Sequence, residues 1–200
     1  GSRLVRVLKD DQYDPRKTPG LVEEAIVQDK VVALLNGVGT ANTIAIMRAG
    51  VLNRHKVPLV GVFSGADAIR GPGSEMIFHT RASYVEEVMK ISRLVSTLGV
   101  KRVAVLYQDD GFGAGIIAAL AKAAEEYGFE VINKTSYKAG EKDFSAQARA
   151  IVASKPQAIF LMGVPEAVIG FMKVYDAPMG ASQIYTLSFV PPQVLVDIVG

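Results

Sequence analysis

The residues Val103-Ala104-Val105-Leu106-Tyr107 form an apolar run that ends in Gln108-Asp109-Asp110-Gly111-Phe112-Gly113, and an alanine-rich stretch, Ile116 to Tyr127, follows at once. Parallel strands are covered on both faces, so they read as continuous Val/Ile/Leu/Ala runs rather than alternating ones. A buried strand, a glycine-punctuated turn and a helix in immediate succession are the unit of an α/β fold. Ligands in such folds bind at the carboxyl ends of the strands. The Asp109 to Gly113 turn therefore stands where function is expected.

The same alternation runs through the chain. Strands are expected at Leu4–Leu8, Val31–Leu35, Val57–Phe63, Met76–Thr80, Arg102–Tyr107, Glu130–Tyr137, Ala158–Leu161 and Gln183–Leu187. Helices are expected at Pro15–Gln28, Thr40–Arg54, Tyr84–Leu98, Ile116–Tyr127, Asp143–Ser154, Glu166–Tyr175 and Val194–Gly200. Leu21, Val22, Ala25 and Ile26 share one face at helical spacing. Gly99 and Gly128 stand where a helix ends on a residue with positive φ. Alternation of this kind implies mostly parallel sheets. The elements form two sets, residues 1–78 and 84–200, with residues 79–83 as a crossing between them.

Composition narrows the function classes. Half of the 200 residues are hydrophobic, and 22 basic residues nearly balance 20 acidic ones for a net charge of +2. No basic run exceeds two residues, which argues against nucleic acid and anionic membranes as partners. The basic residues between Arg48 and Lys56 fall on a helix end and loop facing solvent. Without cysteine there is neither a disulfide nor a thiolate metal site. The two histidines, His55 in a loop and His79 in a short strand, read as structural. No nucleophile–base pair and no Gly-x-Ser-x-Gly elbow is present.

Two strand ends carry candidate binding chemistry. Asn36-Gly37-Val38-Gly39-Thr40-Ala41-Asn42 places glycines before a helix start, where unpaired N–H groups attract anions. The third glycine of a dinucleotide fingerprint is replaced by Asn42. Thr40 is read either as a plain helix cap or as part of a carboxylate site. Phe63-Ser64-Gly65 ends the next strand, and parallel geometry sets it beside the Thr40 turn. Ser64 would hydrogen-bond a ligand and Phe63 would pack on its apolar part. The acid pairs Asp10-Asp11 and Asp109-Asp110 read as turn acids rather than Mg²⁺ ligands, and Glu86-Glu87 as exposed helix positions.

Four segments resemble one family. Asp10-Asp11-Gln12-Tyr13-Asp14-Pro15 is similar to the acidic turn before a helix in type I periplasmic binding proteins of the branched-chain amino acid class. Phe78-His79-Thr80-Arg81-Ala82-Ser83-Tyr84 resembles that family's first hinge crossing. Tyr107 to Gly113 resembles the start of its second lobe. Ala139-Gly140-Glu141-Lys142-Asp143-Phe144-Ser145 is the most specific match. In order and spacing the resemblance covers essentially the whole chain. It implies two Rossmann-like lobes that close on a ligand by hinge motion. The implied role is that of a periplasmic receptor, not an enzyme, without a cofactor, delivering a small carboxylate to the membrane subunits of an ABC importer. Gly39, Thr40, Ala41, Phe63, Ser64 and Gly65 would hold the carboxylate. Tyr84, Phe112, Val164 and Ser188 would line the second lobe.

The chain departs from the family in two places. Amino-acid binders commonly carry an acid near Ser188, and here the stretch is Leu187-Ser188-Phe189-Val190. A buried ammonium without a partner is costly. An aromatic or aliphatic acid is therefore expected as an alternative to an amino acid, unless Glu166 or Asp110 supplies the charge. The family also implies a strand and helix before Arg3 and further crossings beyond Gly200, with a signal peptide outside this chain. Both lobes are thus expected to be truncated. The Leu4–Leu8 strand would lose a neighbour, and an exposed edge favours strand exchange or a dimer. Two rival readings share the fold: a ligand-sensing domain of a regulator, and a flavodoxin-like enzyme binding a nucleotide at Gly37-Val38-Gly39.

Overall fold

The computed structural model describes residues 3–175 and 182–199, in two units whose boundary in sequence lies between Ala82 and Ser83. In the first unit the order is α1 (Thr18–Val27), β1 (Leu34–Leu35), α2 (Thr40–Ala49), α3 (Val51–His55), β2 (Leu59–Val60), a 3₁₀ turn (Asp67–Ile69) and β3 (Ile77–Phe78). The strands pair in parallel in the order β1-β2-β3, with Leu34 opposite Leu59 and Leu59 opposite Ile77. Each ladder is shorter than the apolar runs suggest. Asn36 has φ 55° and Gly61 has φ 70°, and these left-handed residues turn the backbone out of the ladder. Pairing resumes in a single parallel bridge, Val38 to Phe63. Ile26, Val51 and Val57 pack together behind the sheet with Val22, Val31 and Leu34.

The expected strand Leu4–Leu8 is absent. The segment is unpaired, with Leu4 93% and Leu8 76% exposed. An apolar run becomes a strand only when a neighbour supplies ladder bonds and a face to pack on. None of the three strands of this unit pairs with it. Lys9 pins its end through ion pairs to Glu24 and Asp29 at 2.6 and 2.8 Å. The single helix expected over Thr40–Arg54 is also interrupted. Gly50, at φ 65°, closes α2 and opens α3. His55 ends α3 rather than lying in a loop, and bonds Glu23 at 2.7 Å.

The second unit contains α4 (Tyr84–Thr97), β4 (Arg102–Gln108), α5 (Gly111–Tyr127), β5 (Glu130–Tyr137), α6 (Ser145–Ala153), β6 (Ala158–Met162), α7 (Pro165–Val174), β7 (Gln183–Thr186) and α8 (Pro192–Val199). Its sheet is wholly parallel in the order β5-β4-β6-β7. Every residue of β6 is buried, as a strand covered on both faces requires. Tyr137, Phe144, Ile151, Leu161, Val168 and Phe171 belong to one packed cluster at its centre.

Several limits differ from expectation. The crossing stops being strand at Phe78, and residues 79–83 run outside the sheet. Helix α5 begins at Gly111, five residues before Ile116. The Asp110 carboxylate accepts from the N–H groups of Phe112 and Gly113 and converts the expected glycine turn into a first helical turn. The last helix starts at Pro192, and its expected stop, Gly200, lies outside the described residues. No helix among the described residues is long and apolar enough to cross a membrane.

Candidate functional site

In the first unit, the carboxyl end of the sheet brings the Thr40 turn and the Phe63-Ser64-Gly65 strand end together. Gly39 is the N-cap of α2 at φ 100°, and Thr40 is the first helical residue. Thr40 is therefore not the cap: no side chain caps this helix. Its hydroxyl instead lies 2.8 Å from the Ser64 hydroxyl, and both residues are 1% exposed. Ser64 Oγ also accepts from the Ala66 N–H at 3.2 Å. Ala41 follows in the first turn, half-buried, and Gly65 is buried. Two hydroxyls, each able to donate or accept, thus meet at a helix N-terminus carrying unsatisfied N–H groups.

The sequence dictates this turn tightly. A Cβ on Gly39 would sit 2.6 Å from the Tyr13 ring and 2.8 Å from Asn42 Oδ1, so only glycine fits. Tyr13 and Gln12 both take positive φ, 59° and 55°, which presents the ring to Gly39. Asn42 is spent on structure: its amide donates to Asp11 and to Thr18 Oγ1, both at 2.9 Å. Asp11 also accepts from the Thr18 hydroxyl at 2.6 Å. The Asp10-Asp11 pair is therefore a hydrogen-bonded scaffold for the Thr40 turn, with Asp10 accepting from the Gln12 N–H.

Phe63 has a cationic neighbour. The Arg81 guanidinium stacks on its ring, 4.4 Å from the centroid. Arg70 donates to the carbonyls of Arg81 and Ala82 at 2.8 and 3.3 Å. His79 lies just past β3, with Nε2 3.1 Å from the Ile69 carbonyl and Nδ1 buried without a partner among the described residues. Burial, then the Arg70 charge, lowers its pKa below the ordinary 6.5. Arg81 escaped the sequence reading because nothing in linear spacing sets it on Phe63.

In the second unit Tyr84 opens α4 and Phe112 lies in the first turn of α5. Their rings meet edge to face at 5.1 Å, and Phe189 completes a trio at 6.5 Å from Tyr84 and 5.8 Å from Phe112. All three are buried. Phe189 was not singled out by the sequence, although an aromatic residue directly after Ser188 was a usable signal. Val164 joins a different group. It caps α7, its N–H donates to the Tyr137 hydroxyl at 3.2 Å, and its side chain packs on the central cluster.

Ser188 is exposed and bound to Glu87. Its N–H donates to Glu87 Oε2 at 2.7 Å, and its hydroxyl to Oε1 at 2.8 Å. Glu87 is therefore not the plain exposed helix position expected, but a half-buried carboxylate beside the strand end that lacks an acid of its own. Both acids named as substitutes have other neighbours. Asp110 is committed to capping α5 and accepts from Gln108 Nε2 at 2.7 Å. Glu166 lines a depression with Lys142, Phe144 and Lys173.

A sequence profile of the periplasmic binding protein family matches residues 1–194. The Leu/Ile/Val-binding protein homolog 3 of Brucella melitensis is 24% identical over 184 residues, covering 90% of this chain and 49% of that protein. A substrate-binding periplasmic protein from Ralstonia solanacearum superposes with a TM-score of 0.88 at 32% identity, covering 94% of this chain and 53% of the other. A solute-binding protein of an ABC transporter from R. palustris, solved in complex with 4-hydroxybenzoate, gives a TM-score of 0.83 at 22% identity, covering 94% and 53%. The chain spans about half the length of the curated relatives it matches.

Proposed function

The chain belongs to the periplasmic binding protein family, of the Leu/Ile/Val-binding type, and on that premise we propose that it is part of an extracytoplasmic receptor for a small carboxylate. The carrying observation is the buried Thr40–Ser64 hydroxyl pair at the start of α2. Helix N-termini and hydroxyl donors are suited to an anion held without a metal. The buried aromatic trio Tyr84, Phe112 and Phe189 would back the second unit's contribution to the apolar part of the ligand. Hinge closure of two lobes would trap the ligand and present it to ABC transporter membrane subunits. Gly39, Ala41 and Gly65 contribute backbone rather than side chains in this reading, and Val164 acts through α7.

Glu87 favours a second ligand class. A carboxylate beside Ser188 can accept bonds beyond the two it already holds. In this reading it would receive the ammonium of an amino acid, the group for which the β7 end has no acid, and its two bonds from Ser188 support that role. Thermal shift of the full-length protein against benzoate, 4-hydroxybenzoate, 4-methylpentanoate, leucine and ATP separates these readings. Stabilisation by an acid without an amine supports the first, and by leucine well above 4-methylpentanoate the second. Stabilisation by ATP alone would overturn both in favour of a nucleotide-binding enzyme.

A further inference from the structure

The chain leaves the first unit through residues 79–82, and two consecutive residues at the end of the 3₁₀ turn hold that segment. His79 Nε2 lies 3.1 Å from the Ile69 carbonyl. Arg70 donates to the carbonyls of Arg81 and Ala82 at 2.8 and 3.3 Å. A carbonyl only accepts, so Nε2 carries the ring's proton and Nδ1 presents a bare lone pair. Nδ1 is buried, and no hydrogen bond reaches it among the described residues. A neutral imidazole and a guanidinium thus work side by side in one clasp. Arg70 is the charged group that acts on the ring. The other charged side chains on the two joined elements are Asp67 and Arg81. Helix α2 packs on the turn with a single charge, Arg48, exposed in its last turn, and the neighbouring strand end, residues 58–63, has none.

We propose that His79 is an acid-sensitive latch on the segment leaving the first unit: taking up a proton breaks its hold on Ile69 and loosens the Arg70 clamp beside it. The second proton goes to Nδ1, which would then be a buried donor with no acceptor. It also sets a full charge beside Arg70, whose bonds hold the same segment. The residue is half-buried, so a short swing of the ring into water relieves both costs. Burial and the Arg70 charge hold the latched ring below the ordinary 6.5. The released ring, in water, takes the proton first. Above 6.5 both forms are neutral and the latch has its full strength. Below 6.5 the released form gains, by at most about tenfold for the first pH unit. Histidine is suited to this role because its charge changes within the range where the fold persists. The latch stands apart from the ligand reading, and its test uses no ligand.

Amide hydrogen exchange of the full-length protein, corrected for the intrinsic pH dependence of exchange, reads the released population. The reporters are Ile69 and Arg70, whose N–H groups bond the Ala66 and Asp67 carbonyls within the turn. The reference is Leu59 in the central strand of the same unit, whose N–H bonds the Met76 carbonyl. From about pH 7.5 to about pH 5.5 the wild-type reporters should lose protection severalfold, to about tenfold at most, and stay less protected than Leu59. H79Q keeps a donor for Ile69 and takes up no proton, so its reporters should hold within about twofold. Wild-type reporters that lose no more protection than those of H79Q overturn the latch. Reporters as protected as Leu59 at the lower pH open only with the whole unit, and overturn it too. If H79Q does not fold, the pH course of the wild type decides. Protection that is level above about 6.5 and falls below it supports the latch, and any other course overturns it.

Discussion

At the scale of single residues, the least replaceable position in the second unit is Gly113. A Cβ there would lie 1.8 Å from the Gln108 carbonyl oxygen and 2.9 Å from the Tyr107 ring. The first obstacle is backbone at the end of β4 and does not swing aside as a flexible side chain would. The first turn of α5 must therefore move, and Phe112 with it. Gly113→Ala is expected to destabilise by about 3 kcal/mol, at the upper end of overpacking costs. Chemical denaturation measures the loss. Near-UV circular dichroism should report the disturbed Tyr84–Phe112 pair. Gly39 is constrained differently, through positive φ and the Tyr13 ring. Both glycines hold a candidate site residue in place by what they lack.

At the scale of elements, α4 shows how a helix start is fixed locally. The Ser83 hydroxyl accepts from the Glu86 N–H at 3.2 Å, and Glu86 Oε2 accepts from the Ser83 N–H at 3.1 Å. This capping box satisfies two otherwise orphaned donors at the point where the second unit begins. Ser83→Ala should cost about 1 kcal/mol, measured by denaturant midpoint. Because Tyr84 is the first residue of α4, the same substitution should loosen the edge of the aromatic trio. The strand ends were legible because α/β alternation marks them. The capping details at Asp110 and Ser83 set the true helix starts, and a glycine-rich stretch masked the first of them. The expected Leu4–Leu8 strand failed for a different reason. Its residues have strand propensity, but propensity is realised only against a partner.

At the scale of the whole molecule, pH acts through groups whose pKa changes on folding. Burial and the Arg70 charge hold His79 below 6.5 in the folded state. Above 6.5 both states are neutral at this site and its contribution to stability is complete. As pH falls from 6.5 through the folded value, the unfolded chain binds the proton first and stability is lost. Asp14 is lowered to about 2 by its bonds to Arg16, and Glu23 is lowered chiefly by His55 and then Arg54. Such lowered carboxylates lose their contribution only in more acidic solution. Melting temperature should therefore fall as pH drops from 7 towards 5. His79→Gln, which keeps a donor for the Ile69 carbonyl, should flatten that slope, and an unchanged slope would assign it to other groups.

What the sequence by itself determined was the alternation of strands and helices from Thr18 onward, apart from the break at Gly50, the family, and the two strand ends in the first unit where Thr40 and Ser64 meet. These follow from local rules: continuous apolar runs for buried parallel strands, glycines at their carboxyl ends, and parallel pairing that brings successive ends side by side. The tertiary structure decided which side chains lie against the strand ends of each unit. Arg81 reaches Phe63 and Glu87 reaches Ser188 across 18 and 101 residues of chain, counted from their numbers. No periodicity in the chain encodes either pairing, because side chains this far apart in sequence meet only once the sheets and helices have packed. The same holds for Phe189, set against Tyr84 and Phe112 from the far end of the second unit. Charge and aromatic surface at the candidate sites are thus properties of packing, laid on a framework that the sequence writes locally.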